Sequence, residues 1–273
     1  MPTGVSAPPD SAALPPGALE LAHRAARAAG ALLREALAQR GGWQVHSKGA
    51  GDVVTDVDHR AEACIRAELR QAFPQHAVLG EEGGLDGDAA AEYTWIVDPI
   101  DGTMNFAHGL PHFCVSIALA RANEPVCAVA YDPMRDEMFH AALGEGAWLG
   151  EQRLRVSSCA RLEQALLAAV FPKPGSKWLE RFQPTLLRAL RECAGLRRSG
   201  SMVLDLAWVA AGRLDGFWQW GMQPWDIAAG GLLVREAGGH VAPIDPAASL
   251  LQAHSLLACA PELREALAAM CGP

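Results

Sequence analysis

A short stretch in the first half of the chain contains two acids and a hydroxyl in a spacing that could bind a metal ion. Asp98 follows the apolar run 95–97, a predicted buried strand, and the proline after it is expected to end that strand because proline cannot donate to a sheet ladder. Asp101 comes three residues later, before Gly102 and Thr103. Two carboxylates at a strand end could hold a divalent cation, and the N–H groups of Gly102 and Thr103 could face an anion. The alternative is an Asx-type turn in which both aspartates only cap backbone groups.

Two further acids lie in similar surroundings, and the four together favour a metal site. Glu81 follows the predicted strand 77–79, and Asp226 lies at the start of a predicted helix. Carboxylates gathered in this way repel one another unless a cation neutralises them. Because no His or Cys lies near them in the sequence, the ligands are hard oxygens, which select Mg²⁺ or Mn²⁺ over zinc. A pair of such ions can clamp a phosphoryl group during in-line displacement, for which Thr103 could orient a water molecule.

Composition argues against several other classes of protein. The chain has 273 residues, half of them apolar, which fits one large or two tightly packed globular domains. The formal charge of −8 argues against a nucleic-acid-binding surface, so we expect no direct nucleic-acid partner. Seven scattered cysteines without a C-x-x-C pair are typical of reduced thiols. With no apolar run of membrane-spanning length and no recognisable secretion signal, we expect a cytoplasmic protein without membrane contact.

The elements that must position the acids can be placed from periodicity and turn residues. A helix is expected over 19–40, ended by Gly41-Gly42, and Asp58 is expected to be the N-cap of the next helix. The section 125–149 is predicted to be antiparallel strands, and the rest alternates strand and helix, which favours an α/β layer. We therefore predict three parts: a proline-rich disordered leader at 1–17, an N-terminal α+β half at 18–150 with most metal ligands, and a C-terminal α/β half at 151–273 with the substrate pocket and the last ligand.

The chain also contains three ordered motifs, which are Gly80-Glu81-Glu82, WIVDPIDGTMNF at 95–106 and PWDIAAG at 224–230. They resemble the motifs of the inositol monophosphatase family, part of the lithium-sensitive, Mg²⁺-dependent phosphatase superfamily that includes fructose-1,6-bisphosphatase. The likeness extends from about Leu19 to Met270. It implies a layered αβαβα sandwich, usually in a homodimer, and direct attack of water on a phosphate monoester without a phosphoenzyme. It also implies two or three Mg²⁺ ions, with Mn²⁺ as an alternative ion and Li⁺ and Ca²⁺ as inhibitors.

The resemblance assigns metal ligands by position. Glu81, Asp98 and the backbone carbonyl of Ile100 would hold a first metal ion. Asp98, Asp101 and Asp226 would hold a second, and Glu81 with water would hold a weaker third.

The resemblance also implies which residues activate water and bind phosphate. Thr103 would work with an aspartate of the segment 52–58, which the alignment makes Asp58. Asp56 is the rival, because it lies on the same face if the segment is extended. The amides of Gly102 and Thr103 would bind the phosphate. Two residues are expected beside the metal ligands, namely Glu82 and Lys48, with a solvated loop lysine as the alternative for Lys48.

Substrate residues follow from the same alignment. Gly200, Ser201 and Met202 would line the pocket for the alcohol, and Asp101 would also contact the substrate. Inositol-hydrolysing members typically have a glutamate seven residues before the last metal aspartate, whereas this chain has Gln219 there, between two tryptophans. Glutamine donates and accepts hydrogen bonds but brings no charge. The metal chemistry is unaffected, and the identity of the alcohol stays open.

These observations predict a phosphoric monoester hydrolase that acts on inositol monophosphate or a related small alcohol phosphate. One alternative within the superfamily is a histidinol-phosphate, nucleotide or bisphosphate phosphatase. An alternative of another class is a regulatory binding protein in transcription antitermination or ribosome assembly, a role that the resemblance implies for some bacterial members.

Overall fold

The structure, a computed structural model, describes residues 14–39, 42–247 and 249–272. The predicted leader up to residue 13 and the predicted helix end at Arg40-Gly41 lie outside these residues. Within them, layers of secondary structure follow the order helix, sheet, helix, sheet, helix, which confirms the αβαβα sandwich that the resemblance implied.

The first helix layer covers one face of a large sheet. Helix α1 (Ala18–Ala38) packs against helix α2 (Asp56–Ala72), and both contact the sheet because alanines and leucines recur on their buried faces. Between the helices, β1 (Val45–Gly49) and β2 (Asp52–Thr55) form an antiparallel hairpin.

The large sheet has eight strands. They are β3 (Ala77–Gly80), β4 (Gly84–Asp86), β5 (Tyr93–Asp101), β6 (Cys114–Arg121), β7 (Glu124–Asp132), β8 (Glu137–Ala142), β9 (Gly146–Leu149) and β10 (Gln152–Arg153). The spatial order is β10-β9-β8-β7-β6-β5-β3-β4. Only β3 and β5 are parallel among the described pairs of this sheet. The short helix α3 (Thr103–Ala107) follows β5 directly.

The second sheet has five strands. They are β11 (Leu166–Ala168), β12 (Gly195–Arg197), β13 (Gly216–Trp220), β14 (His240–Ala242) and β15 (Ser255–Cys259). Their order is β12-β11-β13-β15-β14, and β11 is parallel to both of its neighbours. The carboxyl ends of β11, β12 and β13 therefore lie at one edge, where open α/β sheets usually bind ligands.

The remaining helices form the central layer and the second outer layer. Helices α4 (Leu179–Glu192) and α7 (Arg264–Cys271) cover the outer face of the second sheet, and α5 (Met202–Ala210) and α6 (Pro224–Glu236) lie between the two sheets. Every residue of α6 from Asp226 to Val234 is buried, as expected for a helix with sheets on both sides. Short 3₁₀ turns occur at Leu162–Gln164, Leu250–Gln252 and Pro261–Leu263.

Three apolar clusters separate the layers. The central cluster contains residues from both sides of position 150, including Ile96 and Phe139 from the first half and Leu204 and Leu233 from the second. The division into two halves at that position stays a prediction. No described helix combines the length and apolarity needed to cross a membrane.

Two predicted element boundaries were wrong. The strand over 95–97 does not end at Asp98, because β5 runs to Asp101 with an irregular register after Asp98. Proline is tolerated there since the ladder is already interrupted. The N-cap of α2 is Thr55 and not Asp58, which is the third helical residue and forms a reciprocal capping box with Thr55.

Candidate metal-dependent active site

The register irregularity in β5 brings Asp98 and Asp101 to the same face of the sheet. In a regular strand, residues three apart point to opposite faces. Here Asp98 pairs with Ser116 and Asp101 pairs with Cys114, so three steps along β5 match two steps along β6. Two steps along β6 return to the same face, and the extra residue in β5 acts as a bulge. Both carboxylates are buried, at 2% and 4% exposure.

One cavity of about 550 Å³ lies next to these carboxylates. Its walls lie at the carboxyl ends of parallel strands in both sheets, since Glu81 directly follows β3, Asp98 lies in β5 and Gln219 lies in β13. The sequence-predicted residues that line it are Lys48, Glu81, Asp98, Ile100, Asp101, Gly102, Thr103, Gly200, Met202, Gln219 and Asp226. The structure therefore brings together acids that lie up to 145 positions apart, from 81 to 226.

Asp58 lies directly behind the cavity wall, in contact with Thr103. The Thr103 hydroxyl is 3.1 Å from Asp58 Oδ1 and 3.0 Å from the Ile100 carbonyl, so its single proton has two acceptors. The other oxygen, Asp58 Oδ2, accepts hydrogen bonds from the N–H and the hydroxyl of Thr55, at 2.8 and 2.5 Å. Burial, partly offset by the bonds from Thr55 and Thr103, raises the pKa of Asp58.

Asp56 does not reach the cavity. It is the first residue of α2 and not part of an extended segment, so the geometric argument for it as the rival of Asp58 was wrong. Its carboxylate accepts a hydrogen bond from the N–H of Gln44 at 2.7 Å and lies 3.9 Å from Arg60. Asp56 therefore joins the β1–β2 hairpin to α2 on the outside of the site.

Asp101 connects the cavity to the start of α5. Its carboxylate accepts hydrogen bonds from the N–H groups of Met202 and Val203, at 3.1 and 2.8 Å, and from the hydroxyl of Ser201. A carboxylate at a helix start is stabilised by these free N–H groups. Ser201 is thus a partner of Asp101 in the structure, while its neighbours Gly200 and Met202 line the cavity. Burial raises the pKa of Asp101, although these hydrogen bonds lower it.

Among the acids that line the cavity, Asp98 and Asp226 have few hydrogen bonds to offset the cost of burying a charge. Each accepts a hydrogen bond from a nearby backbone N–H, that of Ile100 at 2.9 Å and that of Gln223 at 2.7 Å. Burial is the main reason why the pKa of both carboxyls lies well above the usual range. Repulsion from neighbouring acids adds to it, from Glu81 and Asp101 in both cases.

A lysine and two glutamates form the remaining wall. Lys48 Nζ lies 2.6 Å from Glu82 and 3.2 Å from Glu81, so it is not a free loop lysine. Burial lowers the pKa of Lys48, but the hydrogen bond and the charges of the two glutamates outweigh it and raise the pKa. Burial also raises the pKa of Glu81, which Lys48 partly offsets. Glu82 itself does not line the cavity and reaches it through Lys48.

The donor set fits a hard divalent cation. The cavity is lined by carboxylates and a backbone carbonyl together with the cations of Lys48, Lys173 and Arg198, and no His or Cys lies in its wall. Burial, with added repulsion from neighbouring acids, raises the pKa of Asp98 and Asp226. Across 14–39, 42–247 and 249–272, no group of three or more His, Cys, Asp or Glu side chains is arranged so that it could hold a metal ion. Mg²⁺ does not need a closed protein cage, because it usually keeps several waters and partners substrate phosphate.

Sequence reasoning missed several residues of the wall that faces the second sheet. Lys173, Trp178 and Arg198 also line the cavity. Lys173 pairs with Asp52 at 2.5 Å, and the Arg198 guanidinium lies 5.6 Å from the centre of the Phe171 ring. The available signal for Lys173 and Arg198 was their position after β11 and β12 in an α/β layer, where ligand crevices form. Periodicity alone could not show which strands are parallel.

Gln219 is buried in the same wall, with 4% exposure. Its Nε2 donates to the carbonyl of Trp220 at 2.9 Å, while its Oε1 has no partner among the described residues. Trp220 lines the cavity and donates through its indole to Asp245 at 3.2 Å, whereas Trp218 packs against Phe182 in the outer apolar cluster. Both tryptophans beside Gln219 therefore belong to the outer apolar cluster, and Trp220 also lines the cavity.

Comparison with known proteins supports this reading of the fold. A sequence model of the inositol monophosphatase family matches residues 18–271. The chain belongs to the inositol monophosphatase family. Over 227 residues it is 48% identical to a protein named Nus factor SuhB from Pseudomonas aeruginosa, an alignment that covers 82% of this chain and 84% of that protein.

Solved structures of relatives have the same fold. The extragenic suppressor protein suhB from Bartonella henselae has a TM-score of 0.88 and 38% identity, with 92% of this chain and 97% of that chain covered. An IMPase from Thermotoga maritima has a TM-score of 0.83 and 31% identity, with 93% and 96% covered. Within this family Mg²⁺-dependent phosphatase activity is general, which agrees with the donor set of the cavity.

The crowded carboxylates determine how stability should depend on pH without metal. Because their folded pKa values lie above the unfolded value of about 3.9, the folded state binds more protons, and the free energy of unfolding falls as pH rises. We expect the metal-free chain to resist urea better at about pH 5 than at about pH 8, and Mg²⁺ to restore stability at the higher pH. Asp98→Asn should reduce both the loss of stability between pH 5 and pH 8 and the stabilisation by Mg²⁺. Urea unfolding, followed by tryptophan fluorescence with chelator or with Mg²⁺, measures them.

The matched control is Glu151→Gln, since Glu151 is exposed and does not line the cavity. It should keep the pH dependence and the Mg²⁺ response of the wild type. If Mg²⁺ does not change the unfolding free energy of the wild type at either pH, the acids do not bind a divalent cation and the assignment is contradicted.

Proposed function

We propose that the chain is a Mg²⁺-dependent phosphatase of small phosphate monoesters. The observation that carries this proposal is the convergence of four acids and the Thr103–Asp58 pair on one cavity. Glu81, Asp98 and the Ile100 carbonyl would hold one ion, Asp98, Asp101 and Asp226 a second, and Glu81 a weaker third. When bound, Mg²⁺ offsets the charge of the carboxylates and the phosphate and lowers the pKa of a coordinated water.

The Thr103–Asp58 pair would orient and deprotonate the attacking water. If the Thr103 hydroxyl donates to Asp58 Oδ1, its lone pairs are free to accept a proton from a water in the cavity. The proton can then pass through Thr103 Oγ1 to Asp58 Oδ1. Because burial raises the pKa of Asp58, this carboxylate is a better proton acceptor near neutral pH than an exposed aspartate.

The turn after β5 would receive the phosphate. Gly102 adopts a φ of 104° at the N-cap of α3, a left-handed conformation that favours glycine and turns the chain so that Thr103 faces the cavity. The N–H groups of Gly102 and Thr103 would donate to phosphate oxygens. The Lys48 ammonium, which lines the same cavity, adds positive charge on that side.

The alcohol part of the substrate would lie against the second sheet. Gly200, Met202 and Gln219 line this wall. The Oε1 atom of Gln219 has no partner among the described residues, so it would accept a hydrogen bond from a hydroxyl or N–H group of the substrate. Gln219 carries no charge, so the site suits a neutral polyol such as inositol or another small alcohol. Trp178 and Trp220 would support a planar group, as in histidinol or nucleoside phosphates.

Two further expectations stay predictions. A homodimer is proposed on the family resemblance alone. A cytoplasmic location is supported by the cysteines, since all seven are free and none forms a disulfide.

A panel of phosphate monoesters, scored for Mg²⁺-dependent phosphate release, tests the proposed function. We expect turnover of at least one small alcohol phosphate, with inhibition by Li⁺. Thr103→Val removes the hydroxyl without a change of shape, and Asp58→Asn removes the proton acceptor, so each should lower kcat by about 10²–10⁴-fold. Asp56→Asn should keep nearly full activity, because Asp56 faces away from the cavity.

Equal losses from Asp56→Asn and Asp58→Asn would contradict the proton path through Thr103. A wild-type chain that releases no phosphate from any member of the panel, with Mg²⁺ and Mn²⁺ both tried, would contradict the phosphatase itself.

A second candidate function has support from the names of the relatives. Nus factor SuhB is the name of a protein 48% identical to this chain, which supports a binding role in transcription antitermination. This name weighs against the expectation that the chain has no direct nucleic-acid partner, which was based on net charge.

Complementation with Asp98→Asn separates the two roles in a cell that lacks its own copy of the protein. If the phosphatase is the required activity, the variant should fail to restore growth although it is expressed and folded. Full restoration by Asp98→Asn, together with recovery of transcription proteins in a pull-down, would assign the cellular role to binding.

A further inference from the structure

Two side chains of α2 bind the turn that carries Glu81 and Glu82, and neither of them lines the cavity. Glu62 is 3% exposed, and its carboxylate accepts hydrogen bonds from the N–H groups of Glu82 at 2.9 Å and Gly83 at 2.8 Å. Arg66 Nε donates to the same carboxylate at 2.8 Å. Two backbone donors and one charged donor thus surround a single buried carboxylate, and the turn cannot shift without loss of these bonds.

Arg66 also binds the strands on both sides of the turn. Its Nη1 donates to the carbonyl of Val78 in β3 at 3.3 Å, and its Nη2 donates to the carbonyl of Gly84 in β4 at 2.7 Å. Asp86 lies 3.8 Å from the same guanidinium. The planar guanidinium can satisfy these acceptors and Glu62 together, which the single ammonium of a lysine cannot do with the same geometry.

The two glycines of the turn are required by this close contact. A Cβ at Gly80 would lie 2.5 Å from the carboxyl carbon of Glu62 and 2.6 Å from Arg66 Nη2. A Cβ at Gly83 would lie 2.7 Å from Glu62 Oε1 and 2.9 Å from Arg66 Nη2. Both contacts are shorter than real Cβ atoms show. In the segment Gly80-Glu81-Glu82-Gly83, the glycines therefore accommodate Glu62 and Arg66, while Glu81 faces the cavity and Glu82 contacts Lys48.

A single face of α2 connects this turn to the water-orienting pair. Asp58, Glu62 and Arg66 are spaced four residues apart, so they follow one another along one side of the helix. Asp58 contacts Thr103 at the near end of this row, and Glu62 and Arg66 hold the Glu81 turn further along. Glu81 is also joined to β5 by a hydrogen bond of 3.1 Å from its N–H to the Val97 carbonyl.

We propose that Glu62 and Arg66 form a positioning pair that sets the affinity of the cavity for its divalent cation. Neither residue lines the cavity; the pair would act by fixing the backbone of Glu81 and Glu82 relative to Asp98 and to Thr103. This inference rests on the proposed function, because it takes a divalent cation as the ligand of Glu81. Groups that orient metal ligands from behind typically change metal affinity or activity by about 10- to 100-fold when they are replaced.

Glu62→Gln is the most direct test. The substitution keeps size and shape but puts an amide donor against an N–H or guanidinium donor, so at least one of the three hydrogen bonds is lost. We expect Mn²⁺ to bind about tenfold more weakly in calorimetry without substrate. The Mg²⁺ concentration for half-maximal phosphate release should rise by a similar factor. The kcat at saturating Mg²⁺ should stay near the wild-type value, because the residues that contact substrate are unchanged.

Gly83→Ala tests the same contact from the turn side and leaves α2 intact. The added methyl group displaces Glu62, so the weaker Mn²⁺ binding should be reproduced. Arg66→Lys provides a third variant if either of these fails to fold. The controls are Glu68→Gln, which breaks the ion pair between α2 and Arg24, and Gly42→Ala, where a Cβ would approach Gln39 no closer than 3.8 Å. Both should keep the wild-type affinity.

A purely structural role makes a different prediction. It lowers the thermal midpoint of Glu62→Gln and Gly83→Ala but leaves Mn²⁺ affinity unchanged in the folded variants, and that result overturns the proposal. The proposal is also overturned if these variants lose kcat at saturating Mg²⁺ while the Mg²⁺ concentration for half-maximal phosphate release stays unchanged. A wild-type chain that binds Mn²⁺ without phosphatase activity contradicts the proposed function alone, and one that binds no Mn²⁺ contradicts both.

Discussion

Repulsion among buried carboxylates is the constraint on which the rest of the structure depends. Asp98 and Asp226 are almost fully buried beside other acids, and the charge of each is opposed by few hydrogen bonds. A folded protein tolerates such a group if the carboxyl stays protonated or if a cation offsets its charge. The five layers hold the acids in place against this repulsion, because the carboxylates of Asp98, Asp101 and Asp226 are each bonded to backbone at a strand end or a helix start.

Each fixed acid also has a structural function, which explains why the site and the fold cannot be separated. Asp101 binds the free N–H groups at the start of α5, and Asp226 binds the N–H of Gln223 at the start of α6. These helices form the central layer between the two sheets. The same carboxylates thus connect the layers and face the cavity, so the two readings of such residues, as caps and as metal ligands, are not mutually exclusive.

The resemblance of the motifs to a known family was sufficient for the layers and for four of the acids that line the cavity, but it left more than half of the lining residues unpredicted. It was insufficient where a residue acts through a distant contact. Pro99 suggested a strand end, yet β5 continues since the bulge leaves no ladder bond for proline to miss. Glu62 and Arg66 have the spacing of an ordinary helical ion pair, and only the fold shows that the Glu81 turn lies against them.

The most direct test of the central claim is anomalous diffraction from crystals soaked in Mn²⁺, collected near the manganese absorption edge. The account predicts at least one strong anomalous peak inside the cavity, within bonding distance of Asp98 and of Glu81 or Asp226. An absence of anomalous density in the cavity of well-diffracting crystals, or peaks confined to surface carboxylates, would contradict it.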